Sequence, residues 1–446
     1  MKLPTFRGGI HPPDGKALTE SKEIEVYHPL GDLVYPMSQH LGVPCSPLVK
    51  KGDRVLVGMK IADSDAFLSA PILSSVSGAV KETGTRMTIS GALESCVVVE
   101  NDGQYEHAAT LLPHKDYKSL DPKECLRIIR EAGLVGMGGA TFPTHVKLSP
   151  PPDKKIKWLI VNGAECEPFL NCDNRLMMEH PEPIIGGLEI CMSIFPEAEG
   201  IIAIENNKPD SIKIMEGELS ERDGNIRVVP HEVKYPQGAE KMLIYSVTGQ
   251  EIPPGALPAD VGCIILNVST VSHIWLAVAE GIPVVERVLS VTGDVIANPK
   301  NISAPLGTSI RELIDAAGGF TEAPAKVLSG GPMMGISMRS IDVPTVKGTS
   351  GILALSSRAT FCPPESNCIR CGRCIESCPM GLLPTTLDLL VRRREYSEFE
   401  SAGGFNCIEC GCCTYICPSR RHITQSCRDG KAAVTAARRK AQSAKK

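Results

Sequence analysis

Over residues 1–115 the apolar positions come in short runs cut by turns, and none keeps a helical period for a useful length. Leu48-Val49 and Val55 precede Gly58-Met59-Lys60-Ile61 around a Gly52-Asp53 turn, then Ala70-Pro71-Ile72 leads to Ser77-Gly78-Ala79-Val80. Such spacing predicts a compact unit of short strands. A linker over 102–120 ends at Asp121-Pro122-Lys123-Glu124, where an N-cap acid, proline at the first helical position and a glutamate at the third predict a capping box. Leu126, Ile128, Ile129 and Ala132 give helical spacing, and Gly133 ends it. Strand-like runs at 157–161, 200–204, 226–229 and 262–266 then alternate with amphipathic stretches at 182–193, 210–219, 238–247 and 271–279. That alternation predicts an α/β domain whose parallel or mixed sheet is covered on both faces. A smaller unit follows, with a helix near 308–314 closed by Gly318-Gly319 and a loop from Gly330 to Gly335 after a short strand. A cysteine-bearing stretch and a basic, Ala-rich tail, expected as a solvated helix or frayed end, complete the chain.

Length and charge narrow the class. At ~150 residues per domain, 446 residues suggest several domains. A formal charge of −4 argues against a generally basic nucleic-acid binder, and 4% aromatic residues offer no base-stacking platform. The most apolar stretch, 262–285, is broken by Asn267, Ser269, Thr270, Ser272, His273 and Glu280, so no membrane span is expected. Met1 to Gly9 leads into no apolar core, so no secretory signal is expected either.

The cysteines change the picture most. Of 18, seven lie before residue 362 and eleven from Cys362 to Cys427. Cys368-x-x-Cys371-x-x-Cys374-x-x-x-Cys378-Pro379 recurs as Cys407-x-x-Cys410-x-x-Cys413-x-x-x-Cys417-Pro418. Two-residue gaps wrap the backbone round three corners of a [4Fe–4S] cubane, and in two-cluster ferredoxins the fourth cysteine of each run serves the other cluster. On that rule Cys368, Cys371, Cys374 and Cys417 hold one cluster, and Cys407, Cys410, Cys413 and Cys378 the second. The alternative is a pair of four-thiolate zinc sites, which have no use for a third cysteine at the same step or for Cys-Pro in both copies. Cys362, Cys412 and Cys427 are left over as packed or incidental thiols.

Clusters move single electrons, so a redox partner belongs in the α/β part. The stretch Gly133 to Pro143 is glycine-rich but follows a helix rather than a strand, which fails the context of a dinucleotide fingerprint. Taken alone it is a flexible turn or an anion-cradling loop. Asn162-Gly163-Ala164-Glu165-Cys166-Glu167-Pro168 arrives at the carboxyl edge of the sheet, where ligands of open α/β folds bind, though alone it reads equally as a polar loop.

Together these segments resemble a known family. Residues Gly136 to Lys147 (GMGGATFPTHVK) look like the flavin loop of the NADH-oxidising flavoprotein subunit of respiratory complex I. Asn162 to Pro168, Tyr235 to Glu240 and Asn267 to Thr270 fall in the order of that subunit's other flavin and nicotinamide segments, and Gly307 to Gly335 resembles its β-grasp module. The N-terminal strand pattern resembles the flattened barrel of lipoyl and biotin carriers, but Asp63 and Asp65 stand where a carrier lysine belongs. A structural or docking role is therefore expected for it. With Phe6-Arg7-Gly8-Gly9-Ile10-His11-Pro12-Pro13 and the doubled cysteine run, nearly the whole chain resembles the C-subunit family of Rnf complexes.

The resemblance implies a multidomain α/β chain in five parts. These are a lipoyl/biotinyl-like barrel-sandwich (1–115), an FMN- and NADH-binding α/β domain (116–298), a β-grasp, soluble-ligand-binding module (299–358), a mainly helical two-cluster ferredoxin domain (359–430) and a basic tail (431–446). It implies that Gly136, Gly138, Gly139, Lys147, Asn162, Glu165, Asn267 and Thr270 line the FMN site, and that Phe142, Glu167 and Glu240 sit beside NAD(H). Met137, Ala164 and Ala239 depart from the complex I pattern, where arginine and two acidic residues stand. The implied function is that of a peripheral subunit, on the cytoplasmic face, of a membrane-bound ferredoxin:NAD+ oxidoreductase that pumps Na+ or H+. Its partners would be the other subunits, NAD(H) and, indirectly, ferredoxin, with no nucleic acid. No side-chain acid or base is obligatory, because hydride leaves from the flavin. Two alternatives stay open: an electron wire or scaffold that lost nucleotide binding, and a cobalamin-reductase-like flavo-iron–sulfur protein, which would begin near the glycine loop.

Overall fold

The computed structural model describes residues 3–222 and 224–443. Four strands form the central sheet in the order Ile226–His231, Glu199–Glu205, Trp158–Gly163, Cys263–Asn267. All neighbours are parallel, so the sheet is not mixed. Its strands lie within two residues of the expected runs because three are apolar runs largely buried on both faces, while the edge strand Ile226–His231 is only partly covered. Period-2 alternation sorts their side chains. Leu159, Val161, Ile202, Ile204, Ile264 and Leu266 pack with the helices Pro122–Glu131, Cys172–Glu179, Pro181–Ile194, Pro209–Ser220 and Val268–Ala279. Ile160, Ile201, Ala203, Cys263 and Ile265 face the helix Glu240–Thr248 through Leu243 and Ile244. The helix Pro122–Glu131 has only half of the expected box. Asp121 accepts from the Lys123 N–H (2.8 Å), while Glu124 turns outward to Arg127 (2.6 and 2.8 Å).

The next module is a six-stranded sheet in the order Ile24–Val26, Lys300–Pro305, Glu286–Thr292, Gly351–Leu355, Lys326–Ser329, Ile336–Ser337. Two members come from outside the 299–358 unit read from the sequence. Glu286–Thr292 is its central strand, and Ile24–Val26 joins its edge in parallel register. Local alternation gives no sign of so distant a partner.

The barrel closes around Leu33, Tyr35, Val55, Ile61, Ile72, Val97 and Val99 from two small sheets. It is fixed to the rest by Lys347, whose buried ammonium donates to the carbonyls of Pro71 (2.6 Å) and Gly133 (2.7 Å). Before the barrel, residues 3–16 run as a strap between modules. Ile10 pairs with Tyr235 through two hydrogen bonds of 2.9 Å, and the Gly9 N–H donates to the Ser377 carbonyl (2.9 Å). The tail is helical: one helix, Ile423–Ser443, runs across residue 431, packed at Val434 and exposed over 436–442. Val434 packs with Leu387, Phe399 and Cys427. Residues 444–446 of the tail lie outside the described residues. Among the described residues no helix is long and apolar enough to cross a membrane.

Candidate functional site

The glycine loop is a closed excursion. The Gly136 N–H donates to the Phe142 carbonyl (2.8 Å) and Val135 bridges Pro143, leaving Gly138, Gly139 and Ala140 exposed at the tip. Met137 pins it from below. Its N–H donates to Thr270 Oγ1 (3.0 Å), and its carbonyl accepts from the Arg287 guanidinium (3.2 Å). Arg287 is buried, and also donates to Ser269 Oγ and the Thr349 carbonyl (3.3 Å). A cation thus lies under the loop where Met137 replaces one in sequence. Thr141 (φ 52°) and Glu165 (φ 45°) both adopt the left-handed region without being glycine. Strain of this kind persists where surroundings over-determine the backbone, and it clusters at ligand clamps.

The strand ends complete the cradle. Asn162 donates to the Gly238 carbonyl (2.8 Å), and its Oδ1 accepts from the Ala164 N–H (3.2 Å). Asn267 caps the helix Val268–Ala279 through the Ser269 N–H (2.9 Å), and its amide donates to Asp173 (2.6 Å). A side chain at Gly138 would place its Cβ 2.7 Å from the Asn267 amide nitrogen, whereas Gly139 opens on free space. Glu165 accepts the Asp173 and Asn174 N–H groups (2.8 and 3.1 Å) at the start of the helix Cys172–Glu179. Lys147 and Glu240 pair at 2.6 Å, so the side chains expected at the flavin and at the nicotinamide touch one another. Thr144 Oγ1 is buried with no partner. An exposed glycine tip, with a lysine and an orphaned hydroxyl, fits the anionic, planar flavin nucleotide.

Glu167 is placed differently from its neighbours. Both its oxygens accept backbone N–H groups of the Gly330–Gly335 loop, from Met333 (3.1 Å) and Met334 (2.8 Å). Burial pushes its carboxyl up to about 7. Burial, and next the charge of Glu165, likewise push Asp173 from 3.8 up to about 7. Sequence reasoning missed Asp173 and Arg287; Arg287 stands in a mostly apolar strand, whereas Asp173 lies in a polar helix start that gives no signal.

The Asp173 shift gives a pH prediction. Between ~4 and ~7 the folded flavin-free chain binds a proton there that the unfolded chain does not, so stability falls as pH rises through that window. Asp173→Asn keeps an acceptor for Asn267 and is expected to flatten that slope in denaturant melts at several pH values. An unchanged slope would contradict it.

In the cysteine region the two runs are near-copies. Arg370 and Glu409 are left-handed (φ 57° and 58°), as are Gly372 and Gly411 (φ 80° and 86°). Cys368 and Cys407 each accept the N–H two residues on at 3.4 Å. Those hydrogen bonds help hold both thiols below the usual range: the Arg370 N–H leads for Cys368, and contact with the Cys427 thiol leads for Cys407, which reaches about 7. Cys378 lines one cavity with Cys407, Cys410 and Cys413, together with Cys412 and Cys427. Cys374 instead feels Cys417 and Cys368. All 18 cysteines are free, and Cys378, Cys407, Cys410 and Cys413 of that cavity, with the neighbouring Cys368, Cys374 and Cys417, form a soft donor set that fits iron–sulfur clusters. The second run presses on the α/β domain. Cys410, Cys412, Ile10 and Tyr235 share an apolar cluster with Cys166, Met333, Ile408 and Ile416, and the Tyr235 hydroxyl donates to the Cys410 carbonyl (2.7 Å).

Comparison with known proteins follows this division. Residues 4–104 match the RnfC barrel sandwich hybrid domain, 129–276 the Nuo51 FMN-binding domain, 288–337 the SLBB domain and 367–422 the 4Fe-4S dicluster domain. The C-subunit of the proton-translocating ferredoxin:NAD(+) oxidoreductase complex of Clostridium ljungdahlii is 47% identical over 397 residues, covering 89% of this chain and 86% of its own. The chain belongs to the C-subunit family of Rnf complexes. The C-subunit of the Na(+)-translocating complex of Acetobacterium woodii is 42% identical over 99% of both chains. A solved NAD+-reducing [NiFe]-hydrogenase matches 73% of this chain and 63% of that one, at 18% identity and a TM-score of 0.48. Membership of the family, with its barrel at 4–104, speaks against the cobalamin-reductase alternative.

Proposed function

We propose that this chain is the nucleotide-side electron-transfer subunit of a membrane-bound, ion-translocating ferredoxin:NAD+ oxidoreductase. It sits peripherally on the cytoplasmic face, and its partners are the other subunits of an Rnf-type complex, NAD(H) and, through them, ferredoxin. The observation that carries this reading is the seam in which Cys410 and Cys412 share an apolar cluster with Tyr235 and Cys166 of the flavin-type domain.

When bound, FMN supplies the conversion between two-electron hydride chemistry and the one-electron chemistry of two [4Fe–4S] clusters. The chain itself supplies placement. Gly136, Gly138 and Gly139 leave the loop tip open, Lys147 offers a cation, and Asn162, Glu165, Asn267 and Thr270 fix the strand ends that would hold the flavin. Phe142 and Glu240 flank the nucleotide side, whereas Glu167 serves it indirectly by holding the Met333–Met334 backbone. Cys368, Cys371, Cys374 and Cys417 would hold the cluster away from the seam, and Cys407, Cys410, Cys413 and Cys378 the one against it.

Anaerobic analysis of iron, sulfide, flavin and zinc, with NADH-dependent dye reduction, tests the proposal. About eight irons and one FMN per chain, with a dye response, are expected. Zinc in place of iron and no flavin would overturn it. Bound FMN without an NADH response would favour the electron wire, the reading to which Met137, Ala164, Ala239 and the engaged Glu167 lend support.

The strap gives a separate prediction. A Cβ at Gly8 (φ +80°) would lie 2.8 Å from the Cys378 carbonyl oxygen, so Gly8→Val must shift Cys378 or the strap. Iron and flavin contents are expected to hold, and NADH–dye reduction through the flavin with them. Reduction of the iron–sulfur chromophore by NADH is expected to slow by roughly tenfold or more, since small misplacements are costly in rate. Equal rates in the variant and the parent chain would refute a positioning role for the strap.

A further inference from the structure

The two cysteine runs repeat in conformation but not in surroundings, and the difference is systematic. At the second run, Gly411 lies under Met333, whose carbonyl would be 3.2 Å from a Cβ there. Its counterpart Gly372 has nothing within 4 Å. Ile408 packs into the seam, while its counterpart Ile369 is 68% exposed. Cys412 is fully buried against Tyr235, while Arg373 in the same place is exposed. Glu409 is neutralised by Arg428 (3.1 Å) and Lys431 (2.7 Å), while its counterpart Arg370 is exposed and without an ion pair among the described residues. One copy of the repeat is thus covered by a redox domain of the same chain, and the other copy of that face is bare.

The bare face also has a chemistry of its own. Cys368 and Cys371 are exposed, with Ile369, Ile375 and the 78%-exposed Phe361 beside them in sequence. Ser366 and Asn367 hydrogen-bond to Ser419 (3.0 and 2.9 Å), which ties exposed Arg420 to the segment that leads into Cys368, ahead of Arg370 and Arg373 in sequence. Arg420, with Cys362, Tyr415 and His422, lines an open depression. The acids near by in sequence are Glu365 and Asp388, both paired to Arg392 and Arg421, and exposed Glu376. An apolar centre with an arginine rim over exposed thiolates suits a protein with an acidic rim around its own redox centre.

We propose that the face formed by Ile369, Arg370, Gly372, Arg373 and Arg420 docks an acidic, one-electron-carrying iron–sulfur protein domain. It is the external counterpart of the internal seam at Ile408, Glu409, Gly411 and Cys412. Each encounter moves one electron, the partner being oxidised by one as this chain is reduced by one, and no bond is made or broken. The proposal rests on the electron-transfer function above and adds where the external carrier meets the chain.

Binding of an acidic two-cluster ferredoxin, used as a soluble stand-in for such a domain, to the cluster-loaded chain, measured by calorimetry at low and at physiological salt, is the test. The variant is Arg370→Glu with Arg373→Glu. Arg420→Glu repeats the test outside the ligand spacing, and Lys213→Glu, on the helix Pro209–Ser220, is the charge control. Affinity for ferredoxin is expected to fall by roughly tenfold in the first two, to stay level in the control, and to weaken with salt in the parent chain. Unaltered affinity in the rim variants, or an equal loss in the control, would overturn the proposal. So would loss of binding to anionic phospholipid vesicles with ferredoxin affinity retained, which would make the face a membrane contact. Iron, flavin and NADH–dye reduction measured on the same samples report separately on the functional reading; their failure in the parent chain would fall on that reading and not on the docking face.

Discussion

Cys368→Ala combined with Cys378→Ala is expected to empty both clusters, although the two residues lie in the same cysteine run. Cys378 lines the cavity of Cys407, Cys410 and Cys413, while Cys374, its neighbour in sequence, feels Cys417 and Cys368. Those neighbours support crossed ligation, in which the helix turn Arg373–Glu376 would carry the chain from one thiol set to the other. Each single variant should lose about half of the iron. Under uncrossed ligation the double variant would lose no more than either single one, since both cysteines would serve one cluster. Iron counts and low-temperature EPR of reduced samples decide the matter. Half the iron surviving in the double variant would refute the crossed assignment.

Gly138→Val is expected to weaken flavin retention sharply while leaving the fold in place. The glycine is exposed at the loop tip, so no core is disturbed, but a Cβ would meet the Asn267 amide at 2.7 Å. Asn267 is both the cap of the helix Val268–Ala279 and the partner of Asp173, and displacing it disorders the floor of the cradle. Loss of the cap contributes about 1 kcal/mol of destabilisation, which a melting curve resolves without confusing it with unfolding. Flavin per chain after gel filtration should fall by about tenfold or more, a loss of about 1.4 kcal/mol or more in binding. Gly139→Ala, which meets nothing within 4 Å, is the matched control and should retain flavin. Equal retention in both variants would remove Gly138 from the site.

The two sites differ in how far the chain itself announces them. The doubled cysteine spacing is local chemistry, written within eleven residues each time, and the cavity it forms follows the spacing. Three of the four parallel strands are legible because each is close to a continuous apolar run, and that is the mark of strands covered on both faces. The strand Glu286–Thr292 is legible as neither domain's property, because an apolar run does not say which sheet it joins. Arg287 within it is invisible as a support for the glycine loop for the same reason: its partners Met137, Ser269 and Thr349 come from three distant segments.

The amino-acid order alone determined the inventory of this protein: a strand-rich barrel, an alternating α/β unit, a glycine loop and two four-cysteine runs. These are short-range properties, set by periodicity, turn chemistry and ligand spacing. Tertiary structure decided the assembly. It placed residues 3–16 across two modules, sent Glu167 to the Met333 loop, packed the start of the tail helix at Val434, and covered one copy of the cysteine repeat while leaving the other open. Such choices turn on which surfaces meet after folding, and burial energy is pooled over contacts far apart in the chain, so no local pattern records them.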